Sequence, residues 1–296
     1  MASVSAAPTV LPHISTPRRV KARIAQVVIV GLFLVALVPL VSLIVTVIAR
    51  GMTRLDLTFV TSSMRGVVGA GGGALHAIVG TLFITAVAVV ISAPIGIAAA
   101  VYLVEYGRGT LARVLTFLVD VMTGIPSIVA GLFAYAVFSA VLGPGARSGL
   151  AGALALSVLM VPVVVRSSEE MLRLVPYDLR EAALALGSPV YRVIMRVVLP
   201  TAAPGLVSGV MLGTCRIVGE TAPLLLVAGF TDSMNYNIAD GRMTTLPVFI
   251  YSQWQNAGQN REAYEARAWA AALILIVIVF AMNLTSRLWA SRKVHS

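Results

Sequence analysis

Charged residues and cysteine are scarce in this 296-residue chain, in which 11% of the residues are charged and 58% are hydrophobic. A soluble domain has about 25% charged residues, so this composition excludes an ordinary soluble domain and predicts an integral membrane protein. The single cysteine, Cys215, cannot form a disulfide within the chain, and we expect it to be a small buried hydrophobic residue. The net charge of +10 comes from dispersed basic residues, which favours contact with membrane lipid and argues against nucleic-acid binding.

Lysine and histidine are also rare. Lys21 and Lys293, the only lysines, lie outside any glycine-rich loop, so the chain lacks a P-loop for ATP phosphates. We therefore expect a protein that is not an enzyme, and ATP-driven work must come from another polypeptide. The three histidines are scattered without a second ligand at metal-binding spacing, and no nucleophile motif is present. No metal site, catalytic residue or cofactor is predicted.

Long apolar runs fill most of the chain. A helix needs about 20 apolar residues to cross about 30 Å of hydrocarbon, and six runs of roughly that length predict an all-α membrane protein with six transmembrane helices. The runs are 25–49, 76–104, 115–142, 149–166, 203–229 and 268–289. The predicted organisation is a cytoplasmic tail (1–24), a first transmembrane helix serving as an uncleaved signal anchor (25–49), an external loop (50–75), a domain of five helices (76–289) and a second cytoplasmic tail (290–296).

The distribution of lysine and arginine predicts the orientation in a plasma or inner membrane. With a cytoplasmic N-terminus, 14 of these residues lie in cytoplasmic segments and seven in external segments. Cytoplasmic loops of membrane proteins carry an excess of basic residues. Both termini are therefore predicted to be cytoplasmic.

Residues 177–200 form an amphipathic segment between two apolar runs. Gly187 is expected to stop a first helix, Ser188 to cap a second helix, and Pro189 to lie in the first turn of the second. The pattern predicts a hairpin of two short helices. One apolar face of the first helix is formed by residues at helical spacing, namely Leu179, Ala182, Ala183 and Leu186.

The same segment resembles the EAA loop of ABC-importer permeases. The match runs from Glu181-Ala182-Ala183 through Gly187 to Val197, where the family more often has isoleucine, and on to Leu199-Pro200. This resemblance implies that a cytoplasmic coupling loop, residues 167–202, docks into a cleft of an ATPase. The residues implied to couple are Glu181, Ala182, Ala183, Gly187, Ser188, Pro189, Tyr191 and Arg192. An ordinary interfacial helix pair is the alternative interpretation.

Arg216 and Glu220 stand four residues apart within the fifth apolar run. Charges inside a membrane are costly, so they are expected to face a pathway or a partner. A guanidinium group is suited to bidentate contact with an oxyanion, and the glutamate can hold it between transport events. A structural ion pair is the alternative.

Three segments together resemble the phosphate-specific ABC transporter permeases, and the PstA family more than the paralogous PstC family. They are residues 124–133, 180–187 and 219–224. The resemblance implies the type I ABC importer permease fold, phosphate passage at Arg216 and Glu220, and three kinds of partner: a PstC-like second permease, a dimer of PstB-like ATP-binding subunits and an extracytoplasmic PstS-like phosphate-binding protein. A permease for sulfate or molybdate remains an alternative, as does a channel or ion-coupled transporter, although inverted repeats and several intramembrane carboxylates are lacking.

Three further features carry local predictions. Asp120 is expected to pair with a base such as Arg113 at the membrane boundary. The glycines of residues 69–73 are interpreted as a flexible turn, with an anion-binding nest as the alternative. The external segment 230–267 is expected to re-enter partly into a subunit interface through an apolar stretch, residues 246–251, and to contact the binding protein at its rim.

Overall fold

The computed structural model describes residues 16–67, 69–257 and 260–294, and every regular element in those ranges is helical. The helices are α1 (Thr16–Gly51), α2 (Leu57–Thr61), α3 (Leu75–Val101), α4 (Gly109–Gly124), α5 (Ser127–Leu142), α6 (Gly149–Arg173), α7 (Tyr177–Ala185), α8 (Val190–Val193), α9 (Leu199–Val218), α10 (Ala222–Val227), α11 (Leu246–Gln255) and α12 (Arg261–Val294). Two π-helical turns, Tyr102–Tyr106 and Ile194–Val198, extend α3 and join α8 to α9.

The chain divides into two compact units, residues 1–49 and residues 50–296. In the first unit the described residues belong to α1, which begins at Thr16 and so starts before the predicted boundary at residue 25. The helix is apolar around its whole circumference from residue 27 to residue 49, as a helix surrounded by lipid requires.

The second unit is built around the contact between α3 and α6. Gly96 permits this contact, because a Cβ at that position would lie 2.6 Å from Val164 on α6. The packed core between the helices includes Ile84, Leu156 and Met160, all fully buried. This close approach at glycine fits the small-residue packing of membrane helices.

The third predicted span is not one straight helix. α4 and α5 meet at an angle of 108°, so residues 115–142 form a broken element. Pro126 has no N–H to donate and disfavours helical geometry at Ile125, which is extended with ψ 127°. Five described helices are therefore long and apolar enough to cross a membrane, or six if the bent pair counts as one span.

The predicted limits of the fourth and fifth spans also need correction. α6 continues to Arg173, well past residue 166, and the fifth span begins at Val190 and ends at Val218. Residues 219–221 separate it from α10, because the helix ends at Val218 and does not run to residue 229. Hydropathy alone did not detect this break, since both sides of it are apolar.

The second unit has two ends. We call the hairpin end the region where α3 and α6 finish and α7 and α8 lie, residues 102–112 and 170–199. We call the loop end the region where α3, α6 and α12 begin, residues 52–76, 142–150 and 228–262. The Arg180–Glu105 ion pair holds the hairpin end together, and the hydrogen bond from the Leu150 N–H to the Ile238 carbonyl is one link at the loop end.

Candidate functional site

The hairpin begins with α7, which stops where the sequence predicted. Gly187 has φ 78°, a left-handed conformation that favours glycine. The Gly187 N–H donates to the Leu184 carbonyl at 2.9 Å, and the Ser188 N–H donates to the Ala183 carbonyl at 3.2 Å. This pair of hydrogen bonds is a Schellman motif, and it sets the direction in which the chain leaves α7.

The second arm of the hairpin differs from the prediction of two separate short helices. α8 passes through the π-helical turn Ile194–Val198 directly into α9, so the arm is the first part of the fifth span. The Ser188 side chain makes no capping hydrogen bond, and Pro189 occupies the N-cap position, one residue before the predicted first turn. The helix continues through Pro200 because that proline follows the π-helical turn, a local adjustment that accommodates its missing N–H.

The predicted coupling residues mostly lie on the exposed side of the hairpin. Glu181, Ala182, Pro189, Tyr191 and Arg192 are exposed. Ala183 and Ser188 are half-buried, and the Gly187 backbone is exposed. The apolar face of α7 is also uncovered, since Leu179 is 42% exposed and Leu186 is 87% exposed. In contrast, Val193 and Val198 of the second arm pack into a core with Leu172 and Ala100.

Arg180 anchors α7 to the membrane helices, a role that the sequence interpretation missed. Its guanidinium group donates to Glu105 at 2.9 Å, to the Val175 carbonyl at 2.6 Å and to the Leu172 carbonyl at 2.9 Å. The two side chains of the ion pair are only 13% and 11% exposed. The sequence did offer one signal for this contact, because Glu105 is a lone carboxylate at the end of the second apolar run and needs a basic partner. Arg180 thus connects α7 to the ends of α3 and α6.

Arg216 and Glu220 are not paired with each other. Arg216 lies exposed in the last turn of α9, and Glu220 follows the helix end, half-buried. Among the described residues neither side chain forms an ion pair or a side-chain hydrogen bond. The helix ends before Glu220, so the two residues do not lie on one helix. They therefore lack the i, i+4 geometry that the sequence predicted.

Asp120 pairs with Arg166 and not with Arg113, which corrects the expected partner. Arg166 on α6 donates to the Asp120 carboxylate on α4 and to Glu169 at 2.9 Å. Arg113 instead donates to the Thr110 hydroxyl at 3.3 Å. The bend between α4 and α5 leaves Asp120 facing α6, an arrangement that no local sequence rule predicts.

The glycine segment near residue 70 is held by a buried arginine. Arg267 on α12 is fully buried and donates to the carbonyl groups of Gly69 at 2.8 Å and Gly71 at 2.9 Å. These backbone oxygens therefore contact a cation. Gln253 accepts from the same guanidinium at 2.8 Å, so Arg267 connects the glycine segment to α11.

The model of a known family, the binding-protein-dependent transport system inner membrane component, matches residues 92–294. These residues include α7, the anchor Arg180 and the continuous fifth span. The chain belongs to this family. It is a multi-pass membrane protein and a transport component.

Curated relatives agree with this assignment. The chain is 48% identical to the phosphate transport system permease protein PstA of Mycobacterium leprae, and the match covers 93% of the chain and 90% of that protein. It is 47% identical to PstA 1 of Mycobacterium tuberculosis strain H37Rv over 94% of the chain and 90% of that protein. The resemblance to PstA permeases, predicted from three short segments, is confirmed.

Solved structures show the fold. A bacterial alginate ABC transporter in complex with a pentasaccharide-bound periplasmic protein aligns with a TM-score of 0.63 at 14% identity, covering 92% of this chain and 95% of that chain. The MetNI methionine ABC transporter in an inward-facing form aligns with a TM-score of 0.58 at 21% identity, covering 72% of this chain and 93% of that chain. The predicted type I ABC importer permease fold is confirmed.

Proposed function

We propose that this chain is the permease subunit of an ATP-driven importer for inorganic phosphate and forms half of its translocation pathway. The observation that carries the proposal is the 48% identity to a PstA phosphate transport permease over 93% of the chain. The exposed hairpin supports the same function, because an importer permease needs a surface on which an ATPase can act.

The partners of this permease would be a second, PstC-like permease, a dimer of PstB-like ATPase subunits and a PstS-like phosphate-binding protein. The uncovered apolar face of α7, with Leu186 87% exposed, is suited to an ATPase cleft. The chain itself has no P-loop lysine, so ATP would be hydrolysed by the partner chains. The hairpin end would then be cytoplasmic, as the excess of basic residues on that side favours, and both termini would be on the same side.

Arg216 and Glu220 are our candidates for the phosphate pathway. Arg216 ends a membrane-spanning helix, is exposed and lacks an acidic partner in the described part of the chain. A cation at membrane depth is unfavourable unless it contacts a partner, an anion or water. The second permease and the passing phosphate would supply those contacts.

The test is phosphate uptake by the assembled complex. Arg216→Gln should abolish uptake while the complex still purifies with its ATPase, and Arg216→Lys should recover little, because a point charge lacks the planar fork of a guanidinium group. Arg261→Gln is the matched control, since Arg261 lies at the loop end, where its partner is Glu265. Near-normal uptake by an assembled Arg216→Gln complex would exclude Arg216 from the pathway. If the unsubstituted complex takes up sulfate or molybdate in place of phosphate, the assignment of phosphate as the substrate is refuted.

A further inference from the structure

A cleft at the loop end is lined by two arginines from different connections. Arg147 precedes α6, and Arg242 lies shortly before α11. The cleft has a volume of about 520 Å³, and its lining also includes Ser148, Ala239 and Asp240. None of these residues belongs to the coupling hairpin or to the Arg216 region.

The two arginine side chains converge over Gly229. This glycine is buried and has φ 74°, and a Cβ there would lie 3.1 Å from Arg147 Cδ and 3.2 Å from Arg242 Cγ. A side chain at residue 229 would therefore be strained by the positive φ and would push both arginine stems aside by a few tenths of an ångström. The glycine lets two cationic side chains from separate connections run side by side into one cleft.

The two arginines of this cleft have no acidic partner among the residues that the structure describes. Neither guanidinium group forms an ion pair or a side-chain hydrogen bond with a residue that the structure describes. Asp240 lines the cleft without pairing with either arginine. Two neighbouring cations repel each other, and the repulsion is relieved when an anion lies between them.

The guanidinium groups donate to no described residue, whereas two N–H groups at the start of α6 are already in use. The Leu150 N–H already donates to the Ile238 carbonyl at 2.7 Å, and the Ala151 N–H donates to the Ser148 hydroxyl at 3.2 Å. A ligand of this cleft must therefore suit two planar forks of N–H donors. Tetrahedral oxyanions such as phosphate have that geometry.

We propose that Arg147 and Arg242 form an oxyanion site that takes inorganic phosphate at the outer mouth of the permease, before it reaches Arg216. This inference rests on the proposed function for its substrate and for the external position of the loop end. Arg147 is half-buried and Arg242 is exposed, so water screens the site. Together with the repulsion from Asp240, this screening gives weak binding, which a transfer site needs in order to release its ligand.

The experiment measures protection of a cysteine in the cleft. Ala239→Cys, in a Cys215→Ala background, places a thiol on the lining and leaves both arginines unchanged. The complete transporter in proteoliposomes, without the binding protein, is labelled with an impermeant thiol reagent while inorganic phosphate is titrated against sodium chloride of equal ionic strength. We expect phosphate to slow labelling severalfold. Arg147→Gln and Arg242→Gln should each remove the protection, Asp240→Asn should shift it to lower phosphate concentration, and Arg261→Gln should leave it unchanged.

Several outcomes would overturn the site. If phosphate protects the cysteine no more than chloride does, or if its protection survives both arginine substitutions, an arginine oxyanion site is excluded. An arginine variant that only raises the binding-protein concentration for half-maximal uptake, with no phosphate protection in the parent, would assign the pair to contacts with that protein. If the arginine variants fail to assemble, Asp240→Asn decides: protection that does not shift to lower phosphate concentration would exclude the site. Normal phosphate uptake without protection refutes this site alone, whereas absence of phosphate uptake by the unsubstituted complex refutes the proposed function.

Discussion

α7 and α11 are two short amphipathic helices whose apolar faces differ in solvent exposure. α7 has nine residues and α11 has ten, and isolated helices of this length are marginal in water. Phe249 on α11 is fully buried by the protein itself, whereas Leu186 beyond α7 is 87% exposed. Both apolar stretches had been expected to contact partner subunits. The comparison shows that α11 is stabilised within its own chain, whereas the leucines of α7 stay exposed.

The two helices also differ in how an arginine connects them to the rest of the fold. Arg267 is buried, donates to Gln253 beside the α11 core and binds backbone carbonyls of the glycine segment, with the ring of Tyr264 4.4 Å from its guanidinium carbon. Arg180 binds two carbonyls and Glu105, and Ala183 packs beside the Leu172 core, while Leu179 and Leu186 stay exposed. Arg180 thus joins α7 to α3 and α6 while the leucines of α7 stay exposed, which is the arrangement that the proposed coupling role requires.

The largest effect is expected for Phe249→Ala. Truncating a buried phenylalanine costs about 3–5 kcal/mol through lost contacts and the cavity that remains, and Phe249 also contacts the His76 ring edge-on at a centroid distance of 5.4 Å. Thermal unfolding of the detergent-purified protein measures this loss. Leu186→Ala is the matched control. It should change the free energy of unfolding by less than about 0.5 kcal/mol, since substitutions at exposed sites have little effect on stability. Equal losses at the two positions would contradict the comparison.

The next effect concerns the Arg180 anchor. Arg180→Met leaves Glu105 and two carbonyl groups without their donor, at a cost of about 2–3 kcal/mol. Glu105→Gln, Arg180→Met and the double variant form a thermodynamic cycle, and a positive coupling energy of about 1 kcal/mol or more is expected. We also expect uptake to fall relative to ATP hydrolysis in the Arg180→Met complex. Additive losses would show that the contact does not couple the two residues.

A smaller cost is expected at Gly187. Gly187→Val forces a β-branched residue into the left-handed region and should cost about 1–2 kcal/mol locally. Gly109→Val provides the same backbone strain elsewhere, because Gly109 has φ 81° and no neighbour within 4 Å of its Cβ position. Both variants should insert into the membrane, and only Gly187→Val should lose ATPase association and uptake. Comparable uptake by the two variants would refute a coupling role for Gly187.

The smallest perturbation is a labelling experiment. Leu186→Cys and Asn256→Cys, each in a Cys215→Ala background, should leave stability nearly unchanged because both side chains are exposed. An impermeant thiol reagent should reach Asn256→Cys from outside intact cells and Leu186→Cys only in inverted vesicles, where bound ATPase should protect it. Labelling of Leu186→Cys from outside would reverse the proposed orientation.

Local rules predicted some features of this protein well and others poorly. The stop at Gly187 was predictable because a Schellman motif depends on a few consecutive residues. The cap at Ser188 and the separate second helix were wrong, because continuity through Pro200 depends on a π-helical turn set by packing. The partner of Asp120 was wrong because Arg166 lies 46 residues away, and the bend at Pro126 decides which residues meet.

The sequence by itself determined the class of protein, the approximate spans and the helix stop at Gly187, because apolar length and residue spacing act within one helix or one turn. Only the tertiary structure decided that Arg180 meets Glu105, that Arg267 binds the glycine carbonyls, and that Arg147 and Arg242 converge over Gly229. These contacts join segments far apart in the chain. Their cause is the packing of helices and loops in three dimensions, which brings together residues that no local pattern relates.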